Sequence, residues 1–225
     1  MVKVPAENKI KQIVELLRKQ YGTREWRLSP DPLTVLVQTI LSQNTSDTNA
    51  GRAFQSLLSC FNNWQIVADA EVPNIANCIK SGGLARIKAQ RIKGVLNQII
   101  RKRGQLELDF LSRFAPSDAE DWLLELPGVG LKTARCVLLF SLGMPVLPVD
   151  THIWRVTKRL GLINNKITLN EAHKILGDLV PSGEVYLFHV VVIEHGRRIC
   201  RARNPDCSAC ILNGVCASYI QGVFR

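Results

Sequence analysis

The sequence predicts an all-α fold built as two helical lobes. Three observations point there. Apolar residues recur at the i, i+3, i+4, i+7 spacing of a buried helix face along most of the chain. No alternating run with a hairpin turn accompanies them. Two breaker clusters, SPDP at 29–32 and MPVLP at 144–148, interrupt the helical pattern and mark the candidate lobe boundaries.

The elements follow in order. Ile10, Ile13, Val14 and Leu17 form the first stripe, inside an amphipathic N-terminal stretch, MVKVPAENKIKQIVELLRKQ. That stretch has no uninterrupted apolar segment and no small-residue cleavage site, so it is not read as a secretion signal. Residues 33–41 are apolar on all sides and predict a buried helix. Ala50, Ala53, Phe54, Leu57 and Leu58 form the next stripe, and Ile92, Val95, Leu96, Ile99 and Ile100 the one after it. Ser117 with Glu120, and Thr168 with Glu171, have the spacing of capping boxes, in which each side chain satisfies an orphan N–H of the first turn. Ala172, Ile175, Leu176 and Leu179 follow the second box, and residues 185–193 predict another buried helix. About ten helices are expected from ordinary helix lengths.

Composition narrows the function. With 225 residues, 46% of them apolar and 21% charged, the chain is large enough for a sizeable core and ordinary for a soluble protein. No apolar run reaches membrane-spanning length. A soluble cytoplasmic protein is expected, nucleoid-associated in a prokaryote. The net charge of +10 favours a polyanionic partner, nucleic acid before membrane surface. Arg86, Lys88, Arg91, Lys93, Arg101, Lys102 and Arg103 fall in one stretch without an acid, and Arg197, Arg198, Arg201 and Arg203 in another. Each set reads either as a DNA-facing surface or as a solvated helix face.

Of seven cysteines, Cys60, Cys78 and Cys136 are isolated and read as small core residues. The odd total argues against a disulfide framework. The other four form Cys200-x6-Cys207-x2-Cys210-x5-Cys216. Thiolates this close repel one another unless a cation neutralises them. One Cys-x2-Cys with outer ligands spread evenly around it suits a loop wrapped round a 4Fe–4S cluster; zinc, which usually takes two short knuckles, is the alternative. Either metal would fix a loop bearing Arg201 and Arg203.

LPGVGLKTAR at 126–135 predicts two helices joined by a tight turn at Pro127, Gly128, Val129 and Gly130. Glycines serve where φ is positive or where a backbone approaches closely. The first N–H groups of the second helix would bind an anion such as a DNA phosphate. An ordinary helical hairpin is the other reading. Lys132 is then either solvated surface or a nucleophile able to form a Schiff base. Asp150, just before another amphipathic helix, reads as an N-cap that a positive helix end keeps ionised.

LPGVGLKTA, VDTHIWRVTKRLG and the four-cysteine pattern, with LSQNTSD at 41–47 and GGLARIKA at 82–89, resemble the endonuclease III family from about residue 32 to 216. These are helix-hairpin-helix DNA glycosylases with an iron–sulfur cluster. The resemblance implies a six-helix barrel lobe at 33–144 with the hairpin, and a cluster lobe from 1–32 and 145–225 with the cluster loop at 200–216. It implies base-excision repair of oxidised pyrimidines by a monomer acting on duplex DNA with a damaged base or abasic site. Lys132 would attack the sugar C1′ of a flipped nucleotide, and β-elimination would cut the strand; Asp150 would activate the lysine or stabilise departure of the base. Gly128 and Gly130 would contact phosphate, and Cys200, Cys207, Cys210 and Cys216 would bind the cluster. Leu84 would fill the gap left by the flipped base. A family glutamine three places before an aspartate would help, but here Asn44 holds that place and Gln43 precedes it, so both remain candidates. His152 is a candidate pocket residue or an ordinary first-turn residue. His195 is expected to support the cluster loop, and His173 and His189 read as helix residues. Monofunctional relatives, which remove mismatched or alkylated bases, generally lack the hairpin lysine, so Lys132 favours the lyase. A non-catalytic DNA-binding module would leave Lys132 or Asp150 idle.

Overall fold

The computed structural model describes residues 6–29 and 31–223, with the side chains of residues 6 and 7 excepted. The first five residues of the amphipathic N-terminal stretch, and Pro30 of the first breaker cluster, lie outside them. Among the described residues all regular structure is helical, in agreement with the predicted class. In chain order the helices are α1 (Ala6–Tyr21), α2 (Pro32–Ser42), α3 (Asp47–Cys60), α4 (Trp64–Asp69), α5 (Val72–Cys78), α6 (Ala85–Arg103), α7 (Pro116–Leu124), α8 (Leu131–Phe140), α9 (Thr151–Leu160), α10 (Leu169–Leu179), α11 (Val185–Arg198) and α12 (Ala217–Ile220). Short 3-10 turns lie at Lys80–Gly82, Asp109–Arg113, Ser182–Glu184 and Asn213–Val215. No single helix among the described residues is long and apolar enough to cross a membrane.

The chain divides into two compact units, Leu28–Met144 and Met1–Arg27 with Pro145–Arg225. In the first, α2 is the buried helix: Leu33, Leu36, Val37, Ile40 and Leu41 are shielded from solvent. Its start is fixed by Asp31, whose carboxylate accepts from the Leu33 and Thr34 N–H groups at 3.0 and 3.1 Å. It packs on α8, which buries Ala134, Val137, Leu138 and Leu139. Truncating any of these fully buried leucines to alanine would cost about 2–5 kcal/mol. Gly104, at φ +76°, ends α6 in the left-handed conformation that stops a helix cleanly.

Two sequence expectations fail in this unit. Ser117 does not cap α7: Pro116 occupies the first helical turn, where its missing N–H costs nothing, and the Ser117 hydroxyl bonds Asp118 instead. Cys60 and Cys78 are not core residues. They form a disulfide between the ends of α3 and α5, with Cα atoms 6.5 Å apart. Cys136 is buried and outside the disulfide, as expected.

In the second unit the stripe Ile10, Ile13, Val14 and Leu17 is buried, and α1 packs along α11. Ion pairs Arg18–Glu184 and Arg24–Glu194, both at 3.1 Å, hold its C-terminal end and the residues just after it, and Trp26 stacks on Tyr186. The Thr168–Glu171 capping box forms as read. Gly161 ends α9 so close to α12 that a Cβ there would lie 2.9 Å from the Ala217 Cβ.

Candidate active site and cysteine loop

In the first unit, α7 and α8 are joined by the turn at 125–130. The Val129 N–H closes on the Leu126 carbonyl at 3.1 Å, and Gly128 takes φ +74°, which a side chain would resist. The guanidinium stem of Arg91 lies against Gly128. Gly130 is different. Its φ of −108° is ordinary extended backbone, and a Cβ there would meet open space. Nothing among the described residues therefore requires glycine at 130. Gly130 is the N-cap of α8 and offers no side chain to the first-turn N–H groups. On the opposite side, Arg135 and Glu120 pair between α8 and α7. Lys132, in the first turn of α8, is half-buried, and its ammonium has no hydrogen bond or ion pair among the described residues.

Gln43 and Asn44 are separated by the fold. The Gln43 Oε1 accepts from Arg91 at 2.5 Å, and its Nε2 reaches the Thr133 hydroxyl at 3.5 Å. Asn44 is exposed at φ +53°. Leu84 is the other non-glycine residue of this unit in the left-handed region, at φ +49°, and it is 51% exposed. For a leucine that conformation costs roughly 1–2 kcal/mol. Strain of this kind collects at functional sites.

Most of the basic residues on α6 make contacts within the chain, and Lys88, read as part of a DNA-facing surface or a solvated face, is neither. Lys88 is buried. Arg91 holds Gln43, and Lys93 donates to the Ala70 carbonyl at 2.8 Å. Lys102 pairs with Glu125, and Arg103 lies over the Phe110 ring. Arg86 and Arg101 are exposed. Sequence cannot distinguish these cases, because periodicity places Lys88 one residue from the buried Ala89.

In the second unit, Asp150 caps α9, its Oδ1 accepting from the Ile153 N–H at 2.8 Å. The backbone before it is gripped by two buried histidines. The Val149 N–H donates to His173 Nε2 at 3.2 Å, while His173 Nδ1 bonds the Leu169 carbonyl at 3.0 Å. His189 Nδ1 bonds the Pro148 carbonyl at 2.9 Å. These histidines read from sequence as plain helix residues; both set the segment that delivers Asp150. His152 accepts at Nδ1 from the Arg155 guanidinium, 3.1 Å away. Burial pulls its pKa down, against the opposing pull of Asp150.

Cys200, Cys207, Cys210 and Cys216 line one pocket with Arg159 and His195. Arg159 donates to the Cys200 Sγ at 3.3 Å and to the Arg201 and Ala202 carbonyls at 2.7 and 3.1 Å. Arg155 donates to the Cys200 carbonyl at 3.1 Å. His195 stands between Tyr21 and the loop, with Nδ1 3.0 Å from the Tyr21 hydroxyl and Nε2 3.5 Å from the Cys210 Sγ. Burial pushes the Cys210 thiol up to about 11, and burial followed by the neighbouring cysteines raises Cys207. A neighbouring positive charge would favour the thiolates of Cys207 and Cys210. Among the described residues no three donor side chains converge as they would on a single ion. Arg155 and Arg159, one turn apart in VDTHIWRVTKRLG, escaped the sequence reading, although that spacing alone puts them on one helix face. Arg201 and Arg203 are exposed.

Comparison with known proteins gives the following. The profile of the HhH-GPD superfamily of base excision DNA repair proteins matches residues 37–182, and that of the iron–sulfur binding domain of endonuclease III matches residues 200–216. Endonuclease III of Thermotoga maritima is 36% identical over 84% of this chain and 84% of its own length. The solved structure of a non-covalent endonuclease III–DNA complex superposes with a TM-score of 0.83 at 26% identity, covering 99% of this chain and all of that one. A trapped endonuclease III–DNA covalent intermediate gives 0.82 at 25% identity, covering 98% of this chain and 100% of that one.

Proposed function

Since the chain belongs to the endonuclease III family of base-excision-repair DNA glycosylases, we propose how its own residues carry out base removal and abasic-site cleavage. DNA is its partner, and the loop at 200–216 binds an iron–sulfur cluster. The substrate is duplex DNA bearing an oxidised pyrimidine or an abasic site. The Lys132 amine attacks C1′ of the extruded nucleotide. The C1′–N bond breaks, and the base departs with the bonding pair and gains a proton. The ring then opens to a Schiff base. Loss of a C2′ proton expels the 3′ phosphate by β-elimination, and water finally releases the lysine. Asp150, the N-cap of α9, supplies the carboxylate that accepts the lysine's proton or balances the cationic sugar. His152 borders that carboxylate in sequence and lines the nucleotide pocket.

The observation that carries this reading is Lys132 itself. It is a half-buried lysine in the first turn of a helix, and among the described residues its ammonium has no partner and no side chain caps the helix N–H groups. Those N–H groups hold a phosphate beside the nucleophile. Asn44 and Leu84 enter the duplex, since both are exposed and left-handed, while Gln43 is tied back to Arg91 and Thr133. The cluster is of the 4Fe–4S type, held by Cys200, Cys207, Cys210 and Cys216. When bound, it neutralises the thiolates and fixes the loop that presents Arg201 and Arg203 to phosphate. The enzyme acts as a monomer on chromosomal DNA in the cytoplasm.

Borohydride trapping tests this directly. A duplex carrying one thymine glycol should yield a covalent protein–DNA band that vanishes in Lys132→Ala while DNA binding persists. An intact abasic site without a band would instead indicate a monofunctional glycosylase.

A further inference from the structure

We propose that Lys88 is a positioning residue: its buried ammonium fixes the spacing between the two loops whose tips are Asn44 and Leu84. This rests on the reading that those tips enter the duplex.

Lys88 is 1% exposed. Its Nζ donates to the Leu41 carbonyl at 2.7 Å and to the Gly82 carbonyl at 2.8 Å. Both acceptors are backbone, and among the described residues no carboxylate pairs with it. The Leu41 carbonyl lies in the last turn of α2, one of the four there that a helix leaves without an internal partner. Gly82 ends the 3-10 turn at Lys80–Gly82. The ammonium therefore caps two helical C-termini at once, a place where a cation is favoured.

The two carbonyls also lie a few residues before the strained tips, on the Asn44 side with Gln43 as a further tie. Asn44 is three residues beyond Leu41, and Leu84 is two beyond Gly82. At no more than about 3.6 Å per residue, the tips stay within about 11 and 7 Å of their anchors. The site is closed on its other side by α3: a Cβ at Gly82 would lie 3.1 Å from the Ala53 Cβ and 3.9 Å from Lys88 Nζ. Glycine leaves the room that brings its carbonyl onto the cation.

As a mere strut, lysine is a poor choice. Burial disfavours its charge and pulls its pKa down, with Arg91 adding to the effect. An apolar side chain of similar length would fill the space without that penalty. What only the ammonium supplies is a fixed distance between two carbonyls on separate segments. It thereby sets the separation of the amide and the isobutyl group that enter the duplex.

The test uses the full chain with its cluster. Lys88→Met, Gly82→Ala, Leu84→Ala and Asn44→Ala are compared with the parent. Melting temperature and cluster absorbance report on the fold. The readouts are fluorescence of 2-aminopurine placed opposite a tetrahydrofuran abasic analogue, and the affinity ratio of that duplex to an undamaged one. Lys88→Met should keep undamaged-DNA affinity but lose roughly tenfold or more of the ratio, together with the fluorescence rise, because misplacement of about 1 Å in a reacting assembly has effects of this size. Gly82→Ala, which keeps the cation but shifts its acceptor, should lose part of both. If Lys88→Met fails to fold, Gly82→Ala carries the test, and an unchanged ratio there overturns the proposal. If Leu84→Ala abolishes the signal while Lys88→Met leaves it intact, Lys88 has no positioning role. If neither Leu84→Ala nor Asn44→Ala changes the signal, the duplex-entering reading fails and the proposal falls with it.

Discussion

Arg91 lies against Gly128: a Cβ at Gly128 would stand 3.1 Å from the Arg91 Cγ and Cδ, and 3.2 Å from its Nε. The same guanidinium holds Gln43, so the hairpin turn, the end of α2 and the middle of α6 share one side chain.

The two hairpin glycines should therefore fail differently. Gly128→Ala meets both a positive φ and the Arg91 stem, and should destabilise the protein by about 1–2 kcal/mol. Gly130→Ala meets neither, and should change stability by less than about 1 kcal/mol. If a phosphate approaches that turn, Gly130→Ala should nonetheless weaken DNA binding. Urea melts and fluorescence anisotropy on the same samples separate the two effects; unaltered anisotropy for Gly130→Ala would remove the phosphate from the turn.

His173→Ala leaves the Val149 N–H without its acceptor in a buried setting. A loss of about 1–3 kcal/mol in stability is expected. Single-turnover base release should slow beyond what the lost stability explains, because Asp150 is the next residue. A variant that melts lower but turns over normally would show that the Asp150 position does not depend on this bond.

His152 gives a pH signature. Its folded pKa lies below the ordinary value, so the folded state favours the neutral ring that accepts from Arg155. The unfolded chain takes up the proton first as pH falls. This contribution to stability is complete above the unfolded pKa of about 6.5, and is lost as pH drops from there through the folded value. Melting temperature followed from pH 7.5 towards pH 5 should decline less steeply in His152→Asn than in the parent. Identical slopes would mean that the ring does not titrate in this window.

The Cys60–Cys78 bridge closes a loop with a sequence separation of 18. Chain-entropy arguments assign such a loop about 3 kcal/mol. The double variant Cys60→Ser/Cys78→Ser should melt several degrees lower with its cluster absorbance unchanged, since the bridge lies in the other compact unit. An unchanged melt would show that the thiols are not joined in solution.

Much of this was legible in the sequence because it is local. The stripes on α1, α3, α6 and α10 and the Thr168 cap depend on residues within a few positions of one another. The hairpin, Asp150 and the cysteine pattern were legible as motifs. What escaped depends on separate segments meeting. Cys60 and Cys78 look isolated until α3 and α5 converge. Lys88 looks like one of seven basic residues until α6 turns it towards the ends of two other helices. Ser117 shows the converse, where a proline one residue earlier overrides a correctly spaced cap.

Both ends of the cysteine loop are tied to α9. The Arg159 guanidinium holds Cys200, the Cys216 thiol donates to the Arg159 carbonyl at 3.3 Å, and Ala217 rests against Gly161. A segment pinned at both ends has little freedom left to lose when its sulfurs are gathered.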